Sequence, residues 1–181
     1  MPQSKSRTPG SLGVRRVTMR DVEKLADDLL ALLKAKGLKL VVAESCTAGL
    51  LSLKLSDAPG ASTYFNGGFV TYSKEQKISA LDVSPALLRE QGAVCADVAR
   101  EMAQGALRRS TADLAAAITG VAGPEPDEDG NPVGRVCIAV ARRGGTAEVI
   151  ERHYGNRERD EIRACAMTDT LGALMSVISN Q

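Results

Sequence analysis

Apolar residues recur at helical spacing near both ends of this chain. Between Asp21 and Gly37, leucines and a valine return every three or four positions, and Thr18 before them resembles an N-cap with an acidic first turn. The same spacing runs through residues 157–179. Such a pattern places one apolar stripe along a helix, so we predict a helix that ends at Gly37 and a closing helix over 157–179.

Short apolar runs between these two segments predict the strands of a sheet. Two of the runs are continuous, which is typical of strands buried on both faces, and two others alternate across a turn at 142–145, which predicts a hairpin. One run surrounds the pair Gly67-Gly68, so we expect a bend or a bulge there. The predicted strands cover residues 38–43, 62–72, 112–118, 133–141 and 147–154.

Helical patterns alternate with the first three of these strands. They run over 46–56, through Lys77, from Ser84-Pro85 and over 95–109. Alternation early in the chain and a hairpin late predict a single three-layer α/β/α domain over residues 18–181, with a mixed, mostly parallel sheet. Residues 1–17 are rich in Ser, Pro, Gly and Arg, and we expect them to form a flexible tail.

The charge balance argues against a strongly electrostatic partner. Twenty-three basic and 22 acidic residues give a formal net charge of +1, and aromatic residues make up 3% of the chain, with no Trp. An anionic partner such as nucleic acid or a membrane surface would need a basic field, and single-stranded nucleic acid would need stacking platforms. We therefore expect the chain to bind neither nucleic acid nor membrane.

The cysteines and the single histidine argue against a metal site. The four cysteines are scattered without a C-x-x-C, and His153 is the only histidine, so the sequence holds no ligand cluster of zinc-site spacing. We predict no metal and no cofactor. A reducing compartment is the simplest setting for such cysteines, and a leader or an apolar run of ~20 residues is not visible, so a cytoplasmic location is expected.

The stretch VAESCTAGLL (42–51) places polar residues where a predicted strand turns into a helix. The carboxyl end of a strand is where α/β folds collect ligands, and the N–H groups of a helix start favour an anion, a thiolate or an oxyanion. Ser45 and Cys46 are therefore candidate nucleophiles, the thiol because a helix N-terminus lowers its pKa. The alternative is that Ser45 or Thr47 only caps the helix.

A second stretch, GGFVTYSKEQK (67–77), offers a candidate base. Lys77 shares a helical face with Ile78 and Leu81, and burial of an amine lowers its pKa. A neutral lysine can accept a proton from a nucleophile. Lys74 lies on the same face, so spacing does not choose between the two lysines, and a lysine that extends its ammonium to solvent is the alternative.

Two further stretches carry groups suited to a ligand. In ITGVAGPEPDEDGNPVG (118–134), glycines that follow a strand allow close approach of backbone amides, and we expect residues 125–132 to form a mobile surface loop. In YGNRERDEIR (154–163), three arginines cluster at a helix start and suit a phosphate. Salt bridges with the neighbouring carboxylates are the alternative for these arginines.

Together these motifs resemble the CinA C-terminal domain family of competence/damage-inducible proteins. AESCTAG, YFNGGFVTYSKEQK, GAVCADVAREMA, AITGVAGP, NPVG and GNRERDEIR occur in the order seen in that family, over about residues 20–179. Two departures are visible. Ala48-Gly49 stands where the family usually has Gly-Gly, and the loop after Gly123-Pro124 is acidic where the family's loop is often rich in glycine.

The resemblance implies a cytosolic nicotinamide-nucleotide amidase with a mixed sheet in three layers. It would convert nicotinamide mononucleotide and water to nicotinate mononucleotide and ammonia, in pyridine nucleotide recycling, and members of the family are commonly homo-oligomers. The family's nucleophilic serine falls on Ser45, its lysine on Lys77 and the partner tyrosine on Tyr72. The expected substrate-binding residues are Glu44, Cys46, Thr47, Ala48, Gly49, Thr119, Gly120 and Arg163.

Amide hydrolysis needs a nucleophile, a base, an acid for the departing ammonia and donors for the oxyanion. We expect Ser45 to attack, Lys77 to act as base and then as acid, and backbone amides of 46–49, helped by those of 119–120, to bind the oxyanion. Arg163 would contact the phosphate. Cys46 remains the rival nucleophile, and a non-catalytic nucleotide-binding or partner-binding module related to competence or DNA damage remains the alternative function.

Overall fold

The computed structural model describes residues 16–180, so most of the tail predicted over 1–17 lies outside the described residues. Twelve helices and strands follow in this order. They are α1 (Met19–Lys36), β1 (Leu40–Glu44), α2 (Leu50–Asp57), α3 (Ala61–Tyr64), β2 (Phe65–Val70), α4 (Lys74–Leu81), α5 (Pro85–Gln91), α6 (Ala96–Arg108), β3 (Leu114–Gly120), β4 (Arg135–Arg142), β5 (Ala147–His153) and α7 (Arg159–Ser179).

The five strands form one mixed sheet in the order β2-β1-β3-β4-β5. β1 runs parallel to β2 and to β3, whereas β3, β4 and β5 are antiparallel neighbours. The mixed sheet and the late hairpin are confirmed. The sheet was predicted to be mostly parallel, but two of its four strand pairings are parallel and two are antiparallel. Because β1, β2 and β3 are parallel, their carboxyl ends meet at one edge of the sheet, where α/β folds bind ligands.

Alternating side chains of the central strands enter two separate hydrophobic cores. On β1, Leu40 and Val42 join one core with residues of α1, α2 and α7, whereas Val41 and Ala43 join another with residues of α4, α5 and α6. The side-chain period of two in a strand places successive residues on opposite faces. The sheet is therefore covered on both faces, as the three-layer prediction required.

The ends of the predicted elements show how local chemistry fixes them. Thr18 and Asp21 form a reciprocal capping box at the start of α1, and Gly37 ends that helix with a φ of 66°. The bulge predicted at the glycine pair is present, because Leu40 pairs with Phe65 while Val41 pairs with Gly67. The short helix α3 was not predicted. Among the described residues, no helix is long and apolar enough to cross a membrane.

Candidate active site

The hydroxyl of Ser45 and the amine of Lys77 are in direct contact. Lys77 Nζ lies 2.9 Å from Ser45 Oγ and 2.8 Å from the carbonyl oxygen of Thr71, to which it donates. Backbone bonds hold both partners just past the strand ends, since Ser45 N donates to Ile118 O at 2.9 Å and Thr71 N donates to Glu44 O at 2.8 Å. The contact therefore sits on the edge of the sheet and not on a free loop.

Burial makes Lys77 a competent base. Its side chain is 0% exposed, and this desolvation lowers its pKa from 10.5 to about 8. Lys74, which the sequence left as an equal alternative, lies 2.8 Å from Glu128 and 2.8 Å from Asp129. Hydrogen bonding to these carboxylates raises the pKa of Lys74. The structure therefore favours Lys77 over Lys74 as the candidate base. Because the Lys77 side chain is fully buried, the alternative that it extends its ammonium to solvent is wrong.

Glu44 organises the start of α2. Its buried carboxylate accepts the N–H groups of Gly49, Leu51 and Ser52 at 3.1, 3.0 and 2.7 Å, and the Ser52 hydroxyl at 2.6 Å. A carboxylate at a helix N-terminus also complements the helix dipole. Glu44 was expected to contact substrate, and this is corrected, because its oxygens are engaged with the protein and it does not line the cavity.

The alternative that Ser45 or Thr47 only caps the helix is wrong. The helix begins at Leu50, four residues later than predicted, and its N-cap Gly49 makes no side-chain capping bond. Glu44 binds the first amides of the helix instead, which leaves the Ser45 hydroxyl for Lys77. Residues 46–49 form a tight turn in which Ala48 adopts a φ of 51°, a left-handed conformation that costs a residue with a Cβ about 1 kcal/mol.

Replacing Glu44 with glutamine is expected to lower the free energy of unfolding by about 2–3 kcal/mol. The amide loses the charge that the α2 amides bind, and its NH₂ group faces backbone donors in a buried site. Chemical denaturation of the two proteins measures the difference. Glu23→Gln is a matched control, since Glu23 makes an ion pair at the surface with Lys54. Equal stability of Glu44→Gln and the parent chain would contradict the role of this carboxylate.

The turn leaves two backbone amides for an oxyanion. Ala48 N donates to Ser45 O at 3.0 Å, and Gly49 N donates to Glu44, so these two amides of the predicted set 46–49 are engaged. Among residues 16–180, the N–H groups of Cys46 and Thr47 have no hydrogen-bond partner. The predicted donor set therefore narrows to positions 46 and 47, beside the Ser45 hydroxyl.

Cys46 lacks the properties of an activated thiol. Burial raises its pKa to about 11, although the charges of Arg163 and Lys77 act in the opposite direction. The prediction of a lowered thiol pKa is wrong, because α2 starts at Leu50 and the thiol is enclosed by protein. Ser45, whose hydroxyl contacts the Lys77 amine, is the better nucleophile of the two adjacent residues.

A cavity of about 430 Å³ opens in front of the Ser45–Lys77 pair. Seven of the eleven predicted site residues line it, and Glu44, Thr47, Ala48 and Gly49 do not. The lining residues that the sequence identified are Ser45, Cys46, Tyr72, Lys77, Thr119, Gly120 and Arg163. Tyr72 is 64% exposed, and its hydroxyl has no hydrogen-bond partner in the described part of the chain.

The strand end at residues 119–120 is engaged mainly with the protein. The Thr119 hydroxyl donates to the Ala93 carbonyl at 2.7 Å. At Gly120, a Cβ would lie 2.8 Å from the Arg135 carbonyl, so this glycine is required where β3 and β4 approach each other. Both residues line the cavity, and their backbone shapes its wall.

The acidic loop over 125–132, predicted as a mobile surface loop, lies at the surface and forms one wall of the cavity. Asp129 accepts Lys74 Nζ through one carboxylate oxygen and Ala93 N, at 3.0 Å, through the other. Asp127 closes the loop by accepting the backbone and side-chain N–H groups of Asn131 at 2.7 Å. The partner of Asp127 is local, but both partners of Asp129 are distant in the chain, so only the tertiary structure reveals the contacts of Asp129.

Two arginines of α7 face the same cavity, four residues apart. Arg163 Nε donates to the Cys46 carbonyl at 2.9 Å, and Arg159 donates to the Gly123 carbonyl. The salt-bridge alternative fits Arg163 poorly, since its one carboxylate partner, Asp160, is 84% exposed and 3.8 Å away. The sequence indicated Arg159 only as one member of the arginine cluster at 157–163. The structure shows that it lines the cavity.

Comparison with known proteins identifies the family. The sequence model of the CinA C-terminal domain matches residues 22–178, and the chain belongs to that family. A CinA-like protein of Mycolicibacterium paratuberculosis is 53% identical over 159 residues, covering 85% of this chain and 36% of the relative. A CinA-like protein of Geobacter sulfurreducens is 48% identical over 140 residues, covering 77% and 33%. The chain thus spans about a third of these relatives' length.

Solved structures of similar proteins share the whole fold. The competence/damage inducible protein CihA from Agrobacterium tumefaciens is 37% identical with a TM-score of 0.84, over 98% of this chain and 100% of that one. A CinA superfamily protein from Escherichia coli is 35% identical with a TM-score of 0.83, over 91% and 95%. The family and the α/β fold that the sequence motifs predicted are confirmed.

Proposed function

We propose that this chain is an amidohydrolase that converts nicotinamide mononucleotide and water to nicotinate mononucleotide and ammonia, in pyridine nucleotide recycling. The observation that carries the proposal is the contact of 2.9 Å between the Ser45 hydroxyl and the buried amine of Lys77. The lowered pKa of Lys77 makes its neutral form accessible near neutral pH, and a hydroxyl beside a neutral amine is an activated nucleophile. Membership of the CinA family supports the substrate, through the amidase activity that the sequence resemblance implies.

In the first half of the reaction, Ser45 Oγ attacks the carboxamide carbon of the substrate. Its proton moves to Lys77 Nζ, which in its neutral form can accept the proton across the 2.9 Å contact while it keeps its hydrogen bond to the Thr71 carbonyl. The N–H of Cys46, a residue that lines the cavity, is the candidate donor for the oxyanion, and the unbonded N–H of Thr47 follows it in the same turn. As the C–N bond breaks, Lys77 returns the proton to the departing nitrogen, ammonia leaves, and an ester on Ser45 remains.

In the second half, water replaces ammonia. Lys77 removes a proton from the water, whose oxygen attacks the ester carbon. The bond between that carbon and Ser45 Oγ then breaks, and the proton held by Lys77 returns to Oγ. The product is the carboxylic acid, which loses its remaining proton to solvent to give the carboxylate, and both side chains regain their starting state. One base that works in both directions serves both halves.

The charges of the cavity suit a pyridinium nucleotide. Arg159 offers a cation for a phosphate, while the carboxylates of 125–129 provide negative charge for the cationic ring. The Tyr72 hydroxyl lies among the cavity-lining residues and makes no bond to Ser45 or Lys77 within the described chain. We therefore assign Tyr72 as a donor that positions substrate or transfers a proton once substrate is bound.

Ammonia release from nicotinamide mononucleotide by the purified chain tests this function directly. We expect stoichiometric ammonia and nicotinate mononucleotide, resolved by chromatography. Ser45→Ala, prepared in parallel, excludes a contaminating amidase. Binding of the nucleotide without any turnover would contradict the proposal and favour the non-catalytic module.

The pH profile of kcat/KM is expected to follow the neutral fraction of Lys77. Because the free base is required and its pKa is about 8, kcat/KM should rise about tenfold per pH unit below that value and level off above it. Measurements above about pH 7 keep the substrate phosphate fully ionised. A flat profile between about pH 7 and 9 would show that Lys77 is not the base.

A further inference from the structure

We propose that Arg163 is a positioning residue that fixes the peptide between Cys46 and Thr47 and thereby holds the Ser45 turn in its reactive orientation. The inference rests on the amidase function proposed above. It assigns to Arg163 a role through the protein backbone, in place of the phosphate contact expected from the sequence.

The contact comes from a rigid part of the fold. Arg163 Nε donates to the Cys46 carbonyl at 2.9 Å, between residues 117 positions apart in the chain. Its neighbours Ile162 and Ala164 are buried in the core that joins α7 to the sheet, and the Arg163 side chain is 21% exposed. The guanidinium is thus held by the helix that carries it, and its planar fork loses little freedom on bonding.

This bond determines the direction of one backbone donor. A trans peptide is planar, so the Cys46 carbonyl and the Thr47 N–H point to opposite sides of the same unit. Within residues 16–180, the Arg163 guanidinium is the only hydrogen-bond partner of that carbonyl. The turn bonds from Ala48 and Gly49 leave this peptide unit untouched. Rotation of the unit would move the Thr47 N–H and disturb the neighbouring Cys46 N–H.

Arg163 also changes the electrostatics beside the nucleophile. An unpaired Cys46 carbonyl would place a partial negative charge next to the site where an oxyanion develops. The guanidinium neutralises that oxygen and adds a positive charge at the turn, which is felt at the Cys46 thiol as well. Both effects act on the chemical step and not on the affinity for the ground-state substrate.

The test compares Arg163→Ala and Arg163→Lys with the parent chain. For each protein, kcat and KM are measured with nicotinamide mononucleotide. The rate at which an uncharged, serine-reactive phosphonofluoridate phosphonylates Ser45 is measured separately, by mass spectrometry of the intact protein. We expect Arg163→Ala to lower kcat and the labelling rate by about 10²-fold with little change in KM. Arg163→Lys should recover less than half of the loss, because lysine keeps the positive charge but cannot reproduce the hydrogen bond from Arg163 Nε to the Cys46 carbonyl.

Two controls separate positioning from folding. Arg157→Ala removes an arginine that precedes α7 and bonds to the Tyr154 carbonyl, outside the cavity, and should leave kcat, KM and labelling unchanged. Millimolar guanidinium chloride should restore both kcat and labelling to Arg163→Ala, which a misfolded variant would not show. Thermal unfolding of every variant accompanies these measurements.

The outcomes distinguish this inference from the proposed function. If Arg163→Ala raises KM and leaves kcat and labelling unchanged, Arg163 is a substrate contact and the positioning role is wrong. If the parent chain releases no ammonia but its Ser45 labelling still depends on Arg163, the proposed substrate fails and the positioning role stands. Equal labelling of the parent and Arg163→Ala overturns the inference, whether or not ammonia is released.

Discussion

Ser45→Ala is expected to abolish ammonia release, with turnover falling by at least about 10³-fold. The substitution removes one oxygen that contacts Lys77 at 2.9 Å, and no other group occupies that position. Lys77 keeps its bond to the Thr71 carbonyl, so the pocket should retain its shape. Ammonia assays at saturating substrate, with circular dichroism to verify folding, provide the measurement.

Cys46→Ser is the matched control for that prediction. It changes the adjacent residue by one atom, and the buried thiol, with its pKa of about 11, is not needed for the proposed chemistry. We expect turnover within a few-fold of the parent chain. If Cys46→Ser loses activity and Ser45→Ala keeps it, the nucleophile is the Cys46 thiol and not the Ser45 hydroxyl.

Lys77→Met is expected to lower turnover by about 10²-fold or more. Methionine fills a similar volume in the buried site, and it can neither accept the Ser45 proton nor return one to the leaving nitrogen. The ammonia assay measures the loss. Lys74→Met is the control, because Lys74 belongs to the ion pairs of the acidic loop, and it should affect KM more than kcat. Equal kcat in Lys77→Met and the parent would reduce Lys77 to a packing role.

The same substitution should make the protein more stable at neutral pH. A pKa of about 8 in the folded chain against 10.5 unfolded means that burial costs the charged amine about 3 kcal/mol, and below pH 8 this cost is fully present. Methionine removes it but leaves the Thr71 carbonyl unbonded, so a net gain of about 1–2 kcal/mol is expected at pH 7.

This stability difference has a characteristic pH dependence. The parent chain gains stability as pH rises from about 8 to 10.5, because the unfolded state then binds more protons than the folded state. Lys77→Met lacks that gain, so its advantage should disappear near the upper end of this range. Urea denaturation at several pH values measures the change, and an advantage independent of pH would show that the amine is not desolvated.

The core and the order of the elements followed from local patterns. Continuous apolar runs predicted β1 and β3, and the capping box at Thr18 with Gly37 predicted both ends of α1. These predictions succeed because side-chain periodicity and capping act over a few residues. The start of α2 was predicted four residues too early, because the side chain that organises it belongs to the preceding strand.

The motifs indicated Ser45 as the candidate nucleophile and a lysine as the candidate base, and the sequence did not resolve which of two lysines it is. Lys74 and Lys77 have the same helical spacing, and the difference between them lies in distant partners. The acidic loop neutralises Lys74, whereas the sheet edge encloses Lys77 and lowers its pKa. The family match confirms what the ordered motifs indicated over nearly the whole described chain.

The sequence by itself determined the family, the layered α/β fold and the pairing of Ser45 with a lysine, since each depends on short motifs or on periodicity. The tertiary structure decided which lysine is buried, what Glu44 binds, why Cys46 is not activated and where Arg163 donates. Each of these depends on desolvation or on contacts between residues far apart in the chain, and burial and long-range geometry come into existence only when the chain has folded.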